Sequence, residues 1–168
     1  MQDAPKNLQY SAPEGLRVGH IHLKVSDLER AVAFYHGLLG FKITQRYGSE
    51  AVFLAAGDYH HHVGLNVWYS KGNGPAPQHS PGLFHSAFLY PQRRDLAKIC
   101  ERLINQGYPL TGAADHGVSE ALYLDDPDGN GVELYCDKPM SEWPRKLDGT
   151  LDMYTKPLDI QSLLDALE

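Results

Sequence analysis

Residues Ser119 to Asp137, SEALYLDDPDGNGVELYCD, read as strand, tight turn, strand. Ala121 to Leu124 is apolar and aromatic, Pro127-Asp128-Gly129-Asn130-Gly131 is dense in turn formers, and Val132 to Cys136 returns as a strand. Side chains alternate across a strand, so Val132, Leu134 and Cys136 share one face while Glu133, Tyr135 and Asp137 share the other. The aliphatic face is the one a core takes. Glu133 therefore points to solvent or into a cavity, and in a cavity it is a candidate ligand or acid/base. The Asp/Asn/Gly texture of the turn lacks the ligand spacing of a calcium loop and reads as a hairpin.

This stretch has an earlier copy. Ser49 to Leu54, SEAVFL, matches Ser119 to Leu124, SEALYL, 70 residues on. Gly40 to Thr44 matches Gly107 to Thr111 at a spacing of 67, and the strand around His20 matches the strand around His85 at 65. Three matches in one order, with slowly drifting spacing, indicate a duplicated unit with small loop insertions.

At the start of the chain, the polar residues 1–15, with two prolines, are expected to form an N-terminal arm. A strand follows over 17–25, with Ile21, Leu23 and Val25 on one face and His20, His22 and Lys24 on the other. Ser26 and Glu29 have capping-box spacing before a helix over 28–38 that aligns Leu28, Val32, Tyr35 and Leu39. Gly40 ends it, and strands are predicted over 41–46, 51–56 and 61–69. The segment 70–82, rich in Gly, Pro and Ser, is a linker. A second strand–helix–strand series fills 83–137: a strand over 83–90, a helix over 94–106 burying Leu96, Ile99, Cys100, Leu103 and Ile104, and strands near Leu110, over 121–124 and over 132–136. The chain is thus α+β, two tandem β-α-β-β-β modules (17–69 and 83–137) in one domain over 16–138. Residues 139–168 form an extension whose short amphipathic helix could cover a sheet edge, seal a pocket mouth or pair with a second subunit.

Bulk composition narrows the function classes. The 168 residues are 42% hydrophobic and 21% charged, enough for a core, and the net charge of −6 offers no basic field for nucleic acid or an anionic membrane. No apolar run reaches spanning length, and MQDAPKNLQY lacks the apolar centre of a signal peptide. Cys100 and Cys136 form no motif, which suggests a reducing, cytoplasmic compartment. Nine histidines are unusual, and His60-His61-His62 lies inside the pattern, unlike a terminal tag.

VGHIHLKVSDLERAVAFYHGLLGF, followed by DPDGNGVELY at the end of the second copy, resembles the vicinal oxygen chelate superfamily over residues 17–137. That group includes extradiol ring-cleaving dioxygenases, glyoxalase I, fosfomycin-resistance transferases and bleomycin-binding proteins. The resemblance implies an open mixed β-barrel made of the two curved sheets, helices outside, with a divalent metal within. It implies His20, His85 and Glu133 as ligands, a two-histidine, one-carboxylate set that leaves Fe(II) open positions for substrate and oxygen. Mn(II), Zn(II) and Ni(II) are the other metals it admits, and His22 is the fallback for an error in register.

Among extradiol enzymes the resemblance further implies a histidine on the last strand of the first module, a tyrosine ten residues before the glutamate, and a histidine ahead of that tyrosine. His61 or His62, Tyr123 and His116 fill those places. The expected activity is a catechol 2,3-dioxygenase-like oxidoreductase of aromatic catabolism. Its partners would be a small aromatic or other oxygen-chelating substrate and O2. His61 or His62 would serve as base, and Tyr123 and His116 would position the ring or stabilise oxyanion charge. Two-domain extradiol enzymes carry one metal-bearing domain and one without; here there is a single module pair. A glyoxalase-like lyase or isomerase is the first alternative, although the region His62 to Asn66 holds no second carboxylate. A non-catalytic small-molecule binding protein is the second. Open sheet edges favour a homodimer.

Overall fold

A computed structural model of the protein describes residues 10–77 and 79–168. Part of the expected arm, residues 1–9, and linker residue Gln78 lie outside the described residues.

The first module runs β1 (Ile21–Lys24), α1 (Leu28–Val32), β2 (Lys42–Tyr47), β3 (Ala51–Ala55) and β4 (Val63–Asn66). The second runs β5 (His85–Leu89), α2 (Arg93–Asn105), β6 (Gly112–Asp115), β7 (Ser119–Asp125) and β8 (Gly131–Asp137). The same order of element types recurs, as the internal repeat requires. Strand order is β1-β4-β3-β2 in one sheet and β5-β8-β7-β6 in the other, where β9 (Lys156–Pro157) pairs with β6. β1 and β5 are parallel to β4 and β8 respectively, which their helical crossovers permit; the remaining pairs are antiparallel.

Each sheet turns its aliphatic face to its helix. Leu23, Val25, Leu54, Val63 and Leu65 pack with Leu28, Val32 and Tyr35, while Leu122, Leu124, Val132 and Leu134 join Leu96, Ile99, Cys100 and Leu103 in the same core. Ile104 departs from the expected stripe and is half exposed. The expected Ser26/Glu29 capping box does not form. Asp27 caps α1 instead, its side chain accepting from the Arg30 amide at 3.0 Å, because the Ser26 hydroxyl is engaged with Asp128. Beyond Val32 the helix widens over Ala33–Leu38, where the Leu39 amide reaches the Phe34 carbonyl five residues back.

The modules meet through the helical side of the first and the hairpin end of the second. Asp126, buried in the β7–β8 turn, accepts from the Tyr35 hydroxyl at 3.1 Å and from the amides of Asp128 and Asn130. Asp128 accepts from the Ser26 amide and pairs with Arg30, and Arg102 of α2 donates to the carbonyls of Gly37 and Leu38. The turn's carboxylates are thus satisfied by protein donors, in keeping with a hairpin. The two sheets do not hydrogen-bond to one another, and no closed barrel forms among the described residues.

The extension adds to the second module. β9 lies along the edge of β6, an edge position that tolerates Pro157, and α3 (Ile160–Leu164) packs on α2 with Leu163 fully buried. Arg93 donates to the Ser162 carbonyl and Arg94 to that of Leu167. No helix among the described residues is long and apolar enough to cross a membrane.

Candidate functional site

In the second module, pairing register builds the site. β7 and β8 place Tyr123 directly opposite Glu133, and β5 and β8 place Ala87 beside Glu133 and His85 beside Gly131. His85, Glu133 and Tyr123 therefore share the face turned away from α2. Gly131 has a steric reason: a Cβ there would lie 2.4 Å from the Phe84 carbonyl oxygen and 3.1 Å from the His85 Cβ. The missing side chain leaves the imidazole free to lean along the strand, and His85 Nε2 stands 2.9 Å from Glu133 Oε2.

The other carboxylate oxygen, Oε1, accepts from the Tyr123 hydroxyl at 3.1 Å, and His116 Nε2 lies 2.7 Å from that hydroxyl. His116 Nδ1 is 3.1 Å from Thr155 Oγ1. With Nε2–H donating to the tyrosine oxygen, the tyrosine donates to Glu133, while Nδ1 stands between Thr155 Oγ1 and the Tyr154 carbonyl oxygen, 3.2 Å away. Burial, the Glu133 charge and the hydrogen bond to it push the Tyr123 pKa up to about 12, so the hydroxyl remains a donor at neutral pH.

The first module carries a matching face. Phe53 and His22 both pair with Gly64, where a Cβ would meet the His22 ring at 2.9 Å. Phe53 occupies the position of Tyr123, and Gly64 that of Glu133. The His22 ring lies 5.8 Å from Phe53 and 5.6 Å from Trp68. His20, just ahead of β1, has its ring 4.4 Å from His61, and His61 is 5.0 Å from Phe53. His62 turns differently: its Nδ1 accepts from the Ala56 amide at 3.2 Å, and its ring rests on Tyr59. Both histidines precede β4 rather than lying on it, since pairing begins only at Val63. Burial, then the neighbouring imidazoles of His20, His60, His22 and His62, lower the His61 pKa, and burial and His20 lower that of His22.

The expected ligands are thus brought together in part. His85 and Glu133 meet, while His20 sits with His61 on the other sheet. No group of three or more His, Cys, Asp or Glu side chains among the described residues is arranged to hold a metal. A groove of about 660 Å³ between the modules is lined by His20, His62, Phe41, Ala87, Phe88 and Leu89, with neither His85 nor Glu133 in its wall.

The half-site nevertheless fits a divalent cation. The 2.9 Å between His85 Nε2 and Glu133 Oε2 is the distance of an ion pair, and it is also close to the roughly 3 Å between two ligand atoms at right angles, each about 2.1 Å from one metal. The donors are an imidazole and a carboxylate already oriented by Tyr123. His85 Nδ1 is buried and has no partner, so Nε2 is the nitrogen the site presents. Gly131, Gly64, Trp68 and Thr155 belong to these faces without being marked as site residues by the sequence. The glycines carry a signal only once strand register is known, and Thr155 comes from the extension outside the repeat.

A profile described as Glyoxalase/Bleomycin resistance protein/Dioxygenase superfamily matches residues 17–134, and the chain belongs to this superfamily. It is 38% identical over 156 residues to a catechol-2,3-dioxygenase of Bacillus subtilis (strain 168), covering 92% of this chain and 53% of that protein. It is also 34% identical over 125 residues to a biphenyl-2,3-diol 1,2-dioxygenase 3 of Rhodococcus globerulus, covering 72% of this chain and 63% of that one. The chain therefore spans between half and two thirds of the length of these two relatives. The crystal structure of a lactoylglutathione lyase from Agrobacterium tumefaciens shares the fold, with a TM-score of 0.57 at 21% identity over 75% of this chain and 96% of that one.

Proposed function

We propose that the protein is an extradiol ring-cleaving dioxygenase that opens a catechol-like vicinal diol with O2, using Fe(II) held by His20, His85 and Glu133. The observation that carries this reading is the connected line His85–Glu133–Tyr123–His116, in which a ligand pair is backed by two proton-bearing groups. The dioxygenase relatives support the same reaction class. Bound Fe(II) would supply a Lewis-acidic centre and a path for electrons between the diol and oxygen.

The chain's own residues do the rest. Glu133, pinned on Oε1 by Tyr123, keeps Oε2 directed towards His85. The Tyr123 hydroxyl, protonated at neutral pH, gives its one proton to Glu133 and so orients that carboxylate, and His116 supports it from behind. His61 is the base for the second diol hydroxyl: its lowered pKa keeps it neutral and able to accept a proton near pH 7. His62, tied to the Ala56 amide, holds the turn that carries His61. Phe53 and Trp68 offer flat faces for an aromatic ring. A reducing, cytoplasmic setting suits the two buried free cysteines, Cys100 and Cys136.

The test is anaerobic reconstitution with Fe(II), followed by oxygen uptake with catechol and substituted catechols and the appearance of a yellow ring-opened product. Uptake that vanishes in Glu133→Ala supports the reading. Stoichiometric metal binding without uptake on any diol would sink it and favour a glyoxalase-like lyase; absence of metal binding would favour a binding protein.

A further inference from the structure

We infer that Thr155 is a positioning residue for the metal site: it keeps the His116 proton on Nε2 and thereby turns the Tyr123 proton to Glu133. The inference rests on the reading of Glu133 as a metal ligand and is independent of the reaction the metal serves.

The Tyr123 hydroxyl has one proton and two neighbours able to take it. Its oxygen lies 3.1 Å from Glu133 Oε1 and 2.7 Å from His116 Nε2. With a proton on Nε2, the ring donates to the tyrosine oxygen and the tyrosine donates to the carboxylate. With Nε2 bare, the ring takes the tyrosine proton, and Glu133 Oε1 is left facing an oxygen with no hydrogen between them. The tautomer of His116 thus decides whether the carboxylate is held. What surrounds the other ring nitrogen decides the tautomer.

Nδ1 faces two groups, both from the C-terminal extension: the Thr155 hydroxyl at 3.1 Å and the Tyr154 carbonyl oxygen at 3.2 Å. A carbonyl only accepts, so alone it would draw a proton onto Nδ1. A hydroxyl also donates, and Thr155 Oγ1–H is the donor in reach that satisfies a bare Nδ1. Backbone holds the two together. Lys156, next to Thr155, pairs with Asp115, next to His116, and the Tyr154 amide donates to the His116 carbonyl at 3.3 Å. The turn after His116 closes against the same segment: Gly117 has φ +79°, and a Cβ there would lie 2.7 Å from Tyr154 Cε1 and 2.8 Å from Pro144 Cγ. Lys138 and the Gly117 amide both bind the Asp115 carboxylate, which pins the other end of the turn. The superfamily profile ends at residue 134, so Thr155 comes from chain outside the shared domain.

Thr155→Val removes the hydroxyl with little change of shape at a solvent-exposed position, and Thr155→Ser keeps it. Nitrogen NMR of labelled histidine rings in the whole 168-residue chain, without metal, reads which nitrogen of His116 carries the proton, with His116→Gln to assign the signal. The measurement is made at about pH 8.5, above the ordinary imidazole pKa of about 6.5. The wild type is expected to show a protonated Nε2 and a bare, hydrogen-bonded Nδ1. In Thr155→Val the ratio of protonated to bare Nδ1 rises about 10-fold, the worth of one hydrogen bond, and Thr155→Ser returns it to the wild-type value. Kd for Co(II) rises about 10-fold in Thr155→Val and recovers in Thr155→Ser, because the carboxylate loses its orienting proton. A wild-type ring protonated on Nδ1 overturns the inference, as does a Thr155→Val protein with the wild-type ring. A changed ring with unchanged Co(II) affinity, a Co(II) loss that serine does not repair, or a wild type that binds no Co(II) overturns it too. If these shifts appear and the iron-loaded wild type opens no diol, only the dioxygenase reading falls.

Discussion

Tyr123 and Phe53 hold the same place in the two modules and differ by one hydroxyl. That hydroxyl sits between Glu133 and His116, so its removal isolates its role without altering the ring. Tyr123→Phe is expected to lower kcat/KM for a catechol by about 10- to 100-fold, the usual cost of losing a group that orients a ligand. Steady-state kinetics alongside Co(II) titration would check it, and an unchanged kcat/KM would remove Tyr123 from the mechanism. Strand alternation puts His20 and Glu133 on the less aliphatic faces of their strands, and the family resemblance adds His85, the counterpart of His20 in the second copy. The partners of Tyr123 were not legible: a period-two pattern tells which face a hydroxyl joins but not what lies within 3 Å of it.

Among the strands and helices, the β7–β8 turn doubles as the joint between modules. Asp126→Ala would leave the buried Tyr35 hydroxyl and the amides of Asp128 and Asn130 without their acceptor, at an expected cost of about 2–4 kcal/mol in urea unfolding. A cost below about 0.5 kcal/mol would show the joint to be dispensable. Asp115 on β6 gives a pH signature. Its burial favours the neutral form, but the Lys138 ammonium at 2.7 Å and the Gly117 amide outweigh that and hold its pKa below the ordinary value. A folded-state pKa below the unfolded one means stability that is present above about pH 4 and lost as pH falls through the depressed folded value. Lys138→Gln should therefore lose less stability than wild type between about pH 5 and pH 2.5, measured by urea midpoints; equal losses would contradict the pairing. Element order was readable from hydrophobic periodicity and turn residues. The capping of α1 by Asp27 was not, because Ser26 is drawn to Asp128, 102 residues away.

For the protein entire, a ligand that binds only the folded state raises stability by mass action, about 2.7 kcal/mol at 100 times Kd. Co(II) is accordingly expected to raise Tm in the wild type, EDTA to reverse the rise, and Glu133→Ala to abolish it. A Tm indifferent to Co(II) would count against any metal role. The duplication and the α+β class follow from residue type and local spacing, and the superfamily from the resemblance of two motifs, VGHIHLKVSDLERAVAFYHGLLGF and DPDGNGVELY. Three features needed the folded molecule: that the hairpin turn binds the helical side of the other module, that the extension backs His116, and that His20 stands apart from His85 and Glu133. Strand alternation fixes the face on which a side chain emerges. How two such faces stand to one another depends on contacts between residues far apart in the chain, and here those contacts join helix to turn and leave both sheet edges open.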